Sequence, residues 1–184
     1  LANLRLTIRA GDGFQPVVVF RPSPEDKDPV KYPRSMFTLT GGELTLFQVA
    51  VELTVPREVA AESWSLVEPG QAQTVRLKKC LLTIRNASDR QTAFHPDVAF
   101  FRVKSPPGTD MATADEAATT PPVAIELTDC VVRGEAAFLR AEGVQPIHLV
   151  WQNGLLATTE RLLVANGGQR SPLAGEKIAI DLQH

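Results

Sequence analysis

Ala124 to Glu142 reads A-I-E-L-T-D-C-V-V-R-G-E-A-A-F-L-R-A-E, and His148 to Asn166 reads H-L-V-W-Q-N-G-L-L-A-T-T-E-R-L-L-V-A-N. Laid over one another without a gap, Ile125 falls on Leu149, Leu127 on Trp151, Asp129 on Asn153, Cys130 on Gly154, Val132 on Leu156 and Leu139 on Leu163. A repeat of this period is the signature of a solenoid, in which each unit buries its apolar face only against its neighbours. Within each copy apolar residues alternate, break at a polar residue followed by a small one, and resume. That spacing predicts a strand, a corner and a second strand.

The pattern extends in both directions once insertions are allowed. Val75-Arg76-Leu77-Lys78-Lys79-Cys80-Leu81-Leu82 matches Ile125 through Val132, and Leu44 to Val51 matches Val75 to Leu82. Downstream, Ile178-Ala179-Ile180-Asp181-Leu182 fits a further copy with Ile178 on Leu149, and Leu4 to Ile8 begins the first. A third strand closes each turn at Phe37 to Leu39, Trp64 to Val67, Phe100 to Val103, Phe138 to Arg140 and Leu162 to Val164. Five to six coils result.

Helices fit poorly, because 14 prolines and 12 glycines punctuate the chain and the apolar period is mostly two. A sandwich of antiparallel strands is the competitor, but its strands have no reason to repeat as strand–corner–strand units. Parallel stacking places aligned residues about 4.8 Å apart. Arg76 then lies beside Glu126 and Lys79 beside Asp129, pairs worth about 0.2–1 kcal/mol each. Gln48, Lys79, Asp129 and Asn153 form a polar column at the corner, and Val49, Cys80, Cys130 and Gly154 a small, inward one.

These corners carry a resemblance to the right-handed parallel β-helix of the pectate-lyase-like superfamily. It rests on an apolar-x-Leu-x-polar-small-apolar-apolar pattern over most of residues 44–182. More loosely, G-G-E-L-T-L, L-K-K-C-L-L-T-I-R-N and L-T-D-C-V-V-R-G resemble β-helix regions of large bacterial proteins, notably of planctomycetes, that also carry protein-kinase-like domains. The resemblance implies an all-β, right-handed parallel β-helix over residues 1–184. An enzyme of that kind is expected to hold several carboxylates for calcium and an Arg or Lys base on one strand face.

The chain has 184 residues, one domain by the usual size prior. Because Leu1 stands inside strand-like sequence, residues 1–184 are expected to be a piece of a longer protein. Nineteen basic and 21 acidic residues leave a net charge of −2, with no basic stripe for nucleic acid or for a membrane surface. No apolar run reaches the roughly 20 residues that span a bilayer. Two cysteines do not make a disulfide scaffold. They leave the compartment open, with an extracytoplasmic or cell-surface setting favoured.

Insertions distinguish the coils, and in solenoids they gather on the functional face. Arg21 to Arg34, Pro56 to Ser63 and Asn86 to Asp97 each follow the second strand of a coil and are expected to emerge from one corner. They hold the candidate binding residues Tyr32, Arg34, Arg57, Glu58, Asp89, Arg90, His95 and Asp97, a mixed-charge rim suited to sugar chains or another protein. A solvated loop surface is the plainer reading. Lys104 to Pro122, rich in Pro, Thr and Ala, is expected to be an excursion between coils.

No aligned column offers two carboxylates, as an inverting glycosidase needs at roughly 6.5–9.5 Å. Asp129 is matched by Lys79 and Asn153, Glu126 by Arg76 and Val150, Glu135 by Thr159, and Glu160 by Ala136. His95, His148 and His184 share no metal-ligand spacing. Trp64 and Trp151 align with inward positions and read as core. Asn86-Ala87-Ser88 fits a glycosylation acceptor, a match frequent by chance. The sequence therefore predicts no catalytic residues, no metal and no cofactor. It predicts a module that presents a surface for carbohydrate, for another protein or for another domain of the same chain. A divergent polysaccharide lyase or hydrolase and a structural spacer are the alternatives.

Overall fold

A computed structural model describes residues 4–23, 25, 34–56, 63–86, 95–105, 120–167, 173 and 175–183. The repeat folds as a parallel β-helix. Its first sheet stacks β1 (Leu4–Arg9), β4 (Gly42–Phe47), β7 (Thr74–Lys78), β10 (Val123–Thr128), β13 (Ile147–Gln152) and β16 (Ile178–Gln183) in that order. The second stacks β2 (Val17–Phe20), β5 (Ala50–Thr54), β8 (Leu81–Arg85), β11 (Val131–Gly134) and β14 (Leu155–Thr158). The third stacks β3 (Ser35–Leu39), β6 (Trp64–Pro69), β9 (Val98–Lys104), β12 (Ala137–Glu142) and β15 (Leu163–Asn166). Strands that neighbour in space are three apart in sequence order, so each of the first five coils contributes one strand to each sheet and β16 adds a sixth strand to the first.

The repeat register is the pairing register. Ile125 pairs Leu149 and Val75, and Val132 pairs Leu82 and Leu156. Leu44 pairs Val75, one coil earlier. The last strand departs from the expected alignment, since Ile178 pairs Ile147 and Ile180 pairs Leu149. The slip is two residues. An even slip keeps Ile178, Ile180 and Leu182 on the same face, so alternation alone could not distinguish the two registers.

In the inner coils alternation buries one face of the first- and second-sheet strands, whereas β6 and β9 of the third sheet are buried on both faces along most of their length. Leu44, Leu46, Val75, Leu77, Ile125, Leu127, Ile147 and Leu149 fill the first sheet's inner face, and Val51, Leu82 and Val132 that of the second. Phe138 stacks on Trp151 with ring centroids 5.0 Å apart and meets Phe101 edge-on at 5.3 Å, so Trp151 is core as its column predicts. On the outside, Arg76 bridges Glu43 and Glu126, with Arg76 Nε 2.9 Å from Glu126 Oε2. Lys79 stands beside Asp129 on the adjacent coil as expected, but the side-chain bond that Asp129 makes runs to the other side, where Asn153 Nδ2 donates to Asp129 Oδ1 at 2.6 Å.

The polar corner column has a backbone cause. Gln48, Lys79, Asp129 and Asn153 all adopt positive φ, between 48° and 56°. One residue in the left-handed region turns the chain from the first sheet into the second without an added loop. The next residue then points inward, and Val49, Cys80 and Cys130 are buried there. Gly154 ends that column differently. A Cβ on it would lie 1.9 Å from Trp151 Nε1, so the indole takes the space a side chain would have used.

Cys80 and Cys130 stack on adjacent coils as free, buried thiols, joined by the Val131 N–H donating to Cys80 O at 2.9 Å. Their contact draws the Cys80 thiol below its ordinary pKa, against the effect of burial, and together with burial pushes Cys130 up. As small hydrophobes in a filled column they leave no room for growth. Cys80→Leu is expected to cost about 1–3 kcal/mol in chemical denaturation and Cys80→Ala less. Equal stability for Cys80→Leu and wild type would mean that the column is not packed.

Candidate functional site

Each coil passes from the second sheet to the third at one corner. β11 crosses to β12 through Glu135 and Ala136 alone, and β14 to β15 through residues 159–162. In the first three coils the same crossing carries the insertions: β2 to β3, β5 to β6 and β8 to β9. Because β2, β5 and β8 are hydrogen-bonded neighbours, as are β3, β6 and β9, the three insertions leave and return along one corner, as expected. The excursion after Lys104 lies elsewhere, between the third sheet and the first.

Of the candidate binding residues, Tyr32, Arg57, Glu58, Asp89 and Arg90 lie outside the described residues. Arg34, His95 and Asp97 are described and stand at the feet of the insertions. Arg34 is buried, with its guanidinium carbon 4.8 Å from the centroid of the Trp64 ring. Such stacking makes Arg34 part of the wall rather than a rim charge. His95 is likewise tied down. Its backbone N–H donates to Asn86 Oδ1 at 3.1 Å, and its Nε2 lies 3.1 Å from Pro56 O at the foot of the neighbouring insertion.

Asn86 is the clamp of this corner. It is buried, and its Nδ2 donates to His95 O at 2.9 Å and to Glu135 O at 3.0 Å. The Asn86 N–H donates to Glu135 Oε2 at 3.0 Å. A sugar on Nδ2 would replace one of its two N–H groups and remove at least one of these bonds, which favours a structural role for Asn86 over the chance match of Asn86-Ala87-Ser88 to an acceptor.

Asp97 is the hub of a charged network that the sequence reading left incomplete. Arg102, only 1% exposed, donates from Nη2 to Asp97 Oδ1 at 2.6 Å and from Nη1 to Glu142. Arg140, its register partner on the next coil, brings Nε to 3.1 Å from Asp97 Oδ1, and Ser63 Oγ also donates to Asp97. Burial alone would raise the Asp97 pKa, but Arg102, Ser63 and Arg140 outweigh it and hold the carboxyl below its ordinary value. Glu160 moves the other way, raised by burial and by Asp97 against the pull of Arg140. A signal for this network did exist. Arg102 and Arg140 occupy one column, and two stacked cations require an acid between them.

A raised pKa means that ionised Glu160 destabilises the fold. The penalty is absent below the ordinary glutamate value of 4.5 and grows as pH rises through the folded value. Glu160→Gln is therefore expected to raise the melting temperature at pH 7 and to leave it unchanged near pH 3.5. A shift of equal size at both pH values would remove charge as the cause.

Beside the Asn86 clamp, coils three to five form a groove with a cavity of about 420 Å³, lined by Thr83, Ile84, Arg85, Arg133, Gly134, Glu135, Ala157 and Thr159. The sequence reading located the corner from which the insertions emerge but did not single out these residues as a binding surface, although it aligned Glu135 with Thr159. Arg85 is held by Glu52 at 2.9 Å, and Arg133 Nε donates to Thr83 Oγ1 at 3.3 Å. Two guanidinium groups, two threonine hydroxyls and a carboxylate thus border one concave surface, able to donate and accept hydrogen bonds in a fixed arrangement. The chain matches no protein-family model, no curated protein and no solved structure.

Proposed function

We propose that the chain is a β-helix of the pectate-lyase-like kind that works as a non-catalytic module binding carbohydrate at the corner where its insertions emerge. The observation that carries this reading is the groove between Thr83, Arg85, Arg133, Glu135 and Thr159, with its cavity of about 420 Å³. Thr83, Arg85 and Arg133 stand on paired strands, and Glu135 and Thr159 directly follow β11 and β14, which supports a preformed site with little ordering cost. Threonine hydroxyls, guanidinium donors and one carboxylate complement the mixed donors and acceptors of sugar hydroxyls.

Titration calorimetry with neutral and acidic oligosaccharides tests the reading. Arg133→Ala is expected to weaken binding about tenfold, the equivalent of about 1.4 kcal/mol, with melting unchanged. Absence of heat across the panel would overturn it.

A second reading, polysaccharide cleavage, is favoured by one observation: Asp97 is held ionised while Glu160 is pushed toward its protonated form. One ionised and one protonatable carboxyl make up the working pair of a glycoside hydrolase. Against it, Asp97 already binds Arg102, Arg140 and Ser63, which suits a structural hub. Release of reducing ends by the purified chain, lost in Asp97→Asn and in Glu160→Gln, would replace the binding reading with the hydrolytic one.

A further inference from the structure

The corner between the first and second sheets is a single left-handed residue and its inward neighbour in coils two to five. In the first coil it is a loop from Ala10 to Pro16 instead. The loop is anchored at both ends, by the Ala10 N–H donating to Phe47 O at 3.1 Å and the Ala50 N–H donating to Pro16 O at 3.0 Å. Inside it a tight turn, with the Phe14 N–H donating to Gly11 O at 3.1 Å and Gly13 at φ 78°, presents Phe14 to solvent at 75% exposure. The ring overhangs no core. It walls a cavity of about 520 Å³ with Ala50 and Leu81 among its apolar lining and Asp12, Gln48 and Lys79 among its polar lining.

A single exposed ring is ordinary by itself, but Phe14 stands at the wall of a cavity with polar groups around it and offers a flat apolar face on which a ligand can stack. The left-handed corners matter here, because they place Gln48 and Lys79 on successive coils as a ladder lining the cavity. An apolar ring face beside an amide, a carboxylate and an ammonium matches a sugar ring, which offers C–H groups on its faces and hydroxyls around its rim. The apolar floor continues along the solenoid, since Ala50 pairs Leu81, Leu81 pairs Val131 and Val131 pairs Leu155. With about 4.8 Å between coils, that floor suits a short sugar chain lying along the axis better than a single ring.

We infer that this cavity is a second carbohydrate site, stacking a terminal sugar ring on Phe14 and holding its hydroxyls with Asp12, Gln48 and Lys79. The inference rests on the carbohydrate reading above but on different residues, and it makes the module bivalent along one chain face.

The test is amide chemical-shift mapping of the isotope-labelled chain with cello-, manno- and chito-tetraose, repeated on Phe14→Ala, Lys79→Ala and Arg133→Ala. Phe14 is exposed and Lys79 forms no ion pair among the described residues, so both variants should melt as wild type does. The expected result is shifts at residues 12–15, 48 and 79 that weaken at least fivefold in Phe14→Ala and Lys79→Ala and persist in Arg133→Ala. Shifts confined to residues 83–85, 133–135 and 159 would overturn this site and leave the corner groove standing. Shifts confined to residues 12–15, 48 and 79 would support this site and remove the groove. No shifts with any tetraose would overturn both.

Discussion

Arg102→Met is expected to cost about 2–3 kcal/mol at neutral pH in chemical denaturation, one of the two largest effects foreseen here. Removing one partner of a buried ion pair costs about 3–5 kcal/mol where the remaining charge is cut off from water. Asp97 and Glu142 keep 35% and 30% of their side-chain exposure, so solvent screening lowers the figure. Arg140 still contacts Asp97, which leaves Glu142 as the main orphan. The loss should shrink in acid. Asp97 has a folded pKa below its ordinary 3.8, so its contribution is complete above that value and disappears as pH falls through the folded one. A double variant, Arg102→Met with Glu142→Gln, should recover part of the loss. Full stability in Arg102→Met alone would show that the network contributes nothing and that Asp97 is held by other means.

Much of the architecture was legible because a solenoid writes its contacts into its period. Residues one repeat apart become hydrogen-bonded neighbours, so the match of Val75 with Ile125 and of Leu82 with Val132 was already a list of strand pairs. The limits were equally physical. At β16 the alternation Ile178-Ala179-Ile180 fits two registers that differ by one pleat, and nothing in its composition chooses between them. At the corners the polar column was visible but its conformation was not, since Gln48 and Lys79 are not the residues that ordinarily announce a left-handed turn.

The candidate site was only half readable, for a different reason. Insertions show as breaks in the period, so their common corner could be placed. Yet the groove beside them is made by Thr83, Arg85 and Arg133, outward residues of ordinary strands, and by Thr159 just after β14, none of which carries a mark in the sequence. Arg102 was hidden in the run Phe100-Phe101-Arg102-Val103, where an ion-paired arginine reads as one more strand residue. Phe14 was overlooked because it stands outside the repeated pattern altogether.

Gly134→Ala is the other large effect, with an expected cost of about 3 kcal/mol or more. Gly134 adopts φ 139° and pairs Ile84 on the preceding coil. A Cβ there would sit 2.0 Å from Ile84 O and 2.9 Å from the Ile84 carbonyl carbon and nitrogen. These are backbone atoms of a paired strand and cannot swing aside as a flexible side chain would. The fourth coil must therefore pull away from the third at the floor of the groove, combining overpacking with a φ that side chains rarely adopt. The Glu135 contacts to Asn86 lie one residue further on, so the clamp beneath the third insertion should loosen with it. For a chain of this size the loss corresponds to a melting temperature roughly 6–12 °C lower. Gly13→Ala is the control, because Gly13 also has positive φ, at 78°, but nothing lies within 4 Å of its Cβ position. Its cost should stay near 1 kcal/mol, the conformational term alone. Equal melting of the two variants would mean that the coils do not approach closely at Gly134, and the groove floor described above would have to be redrawn.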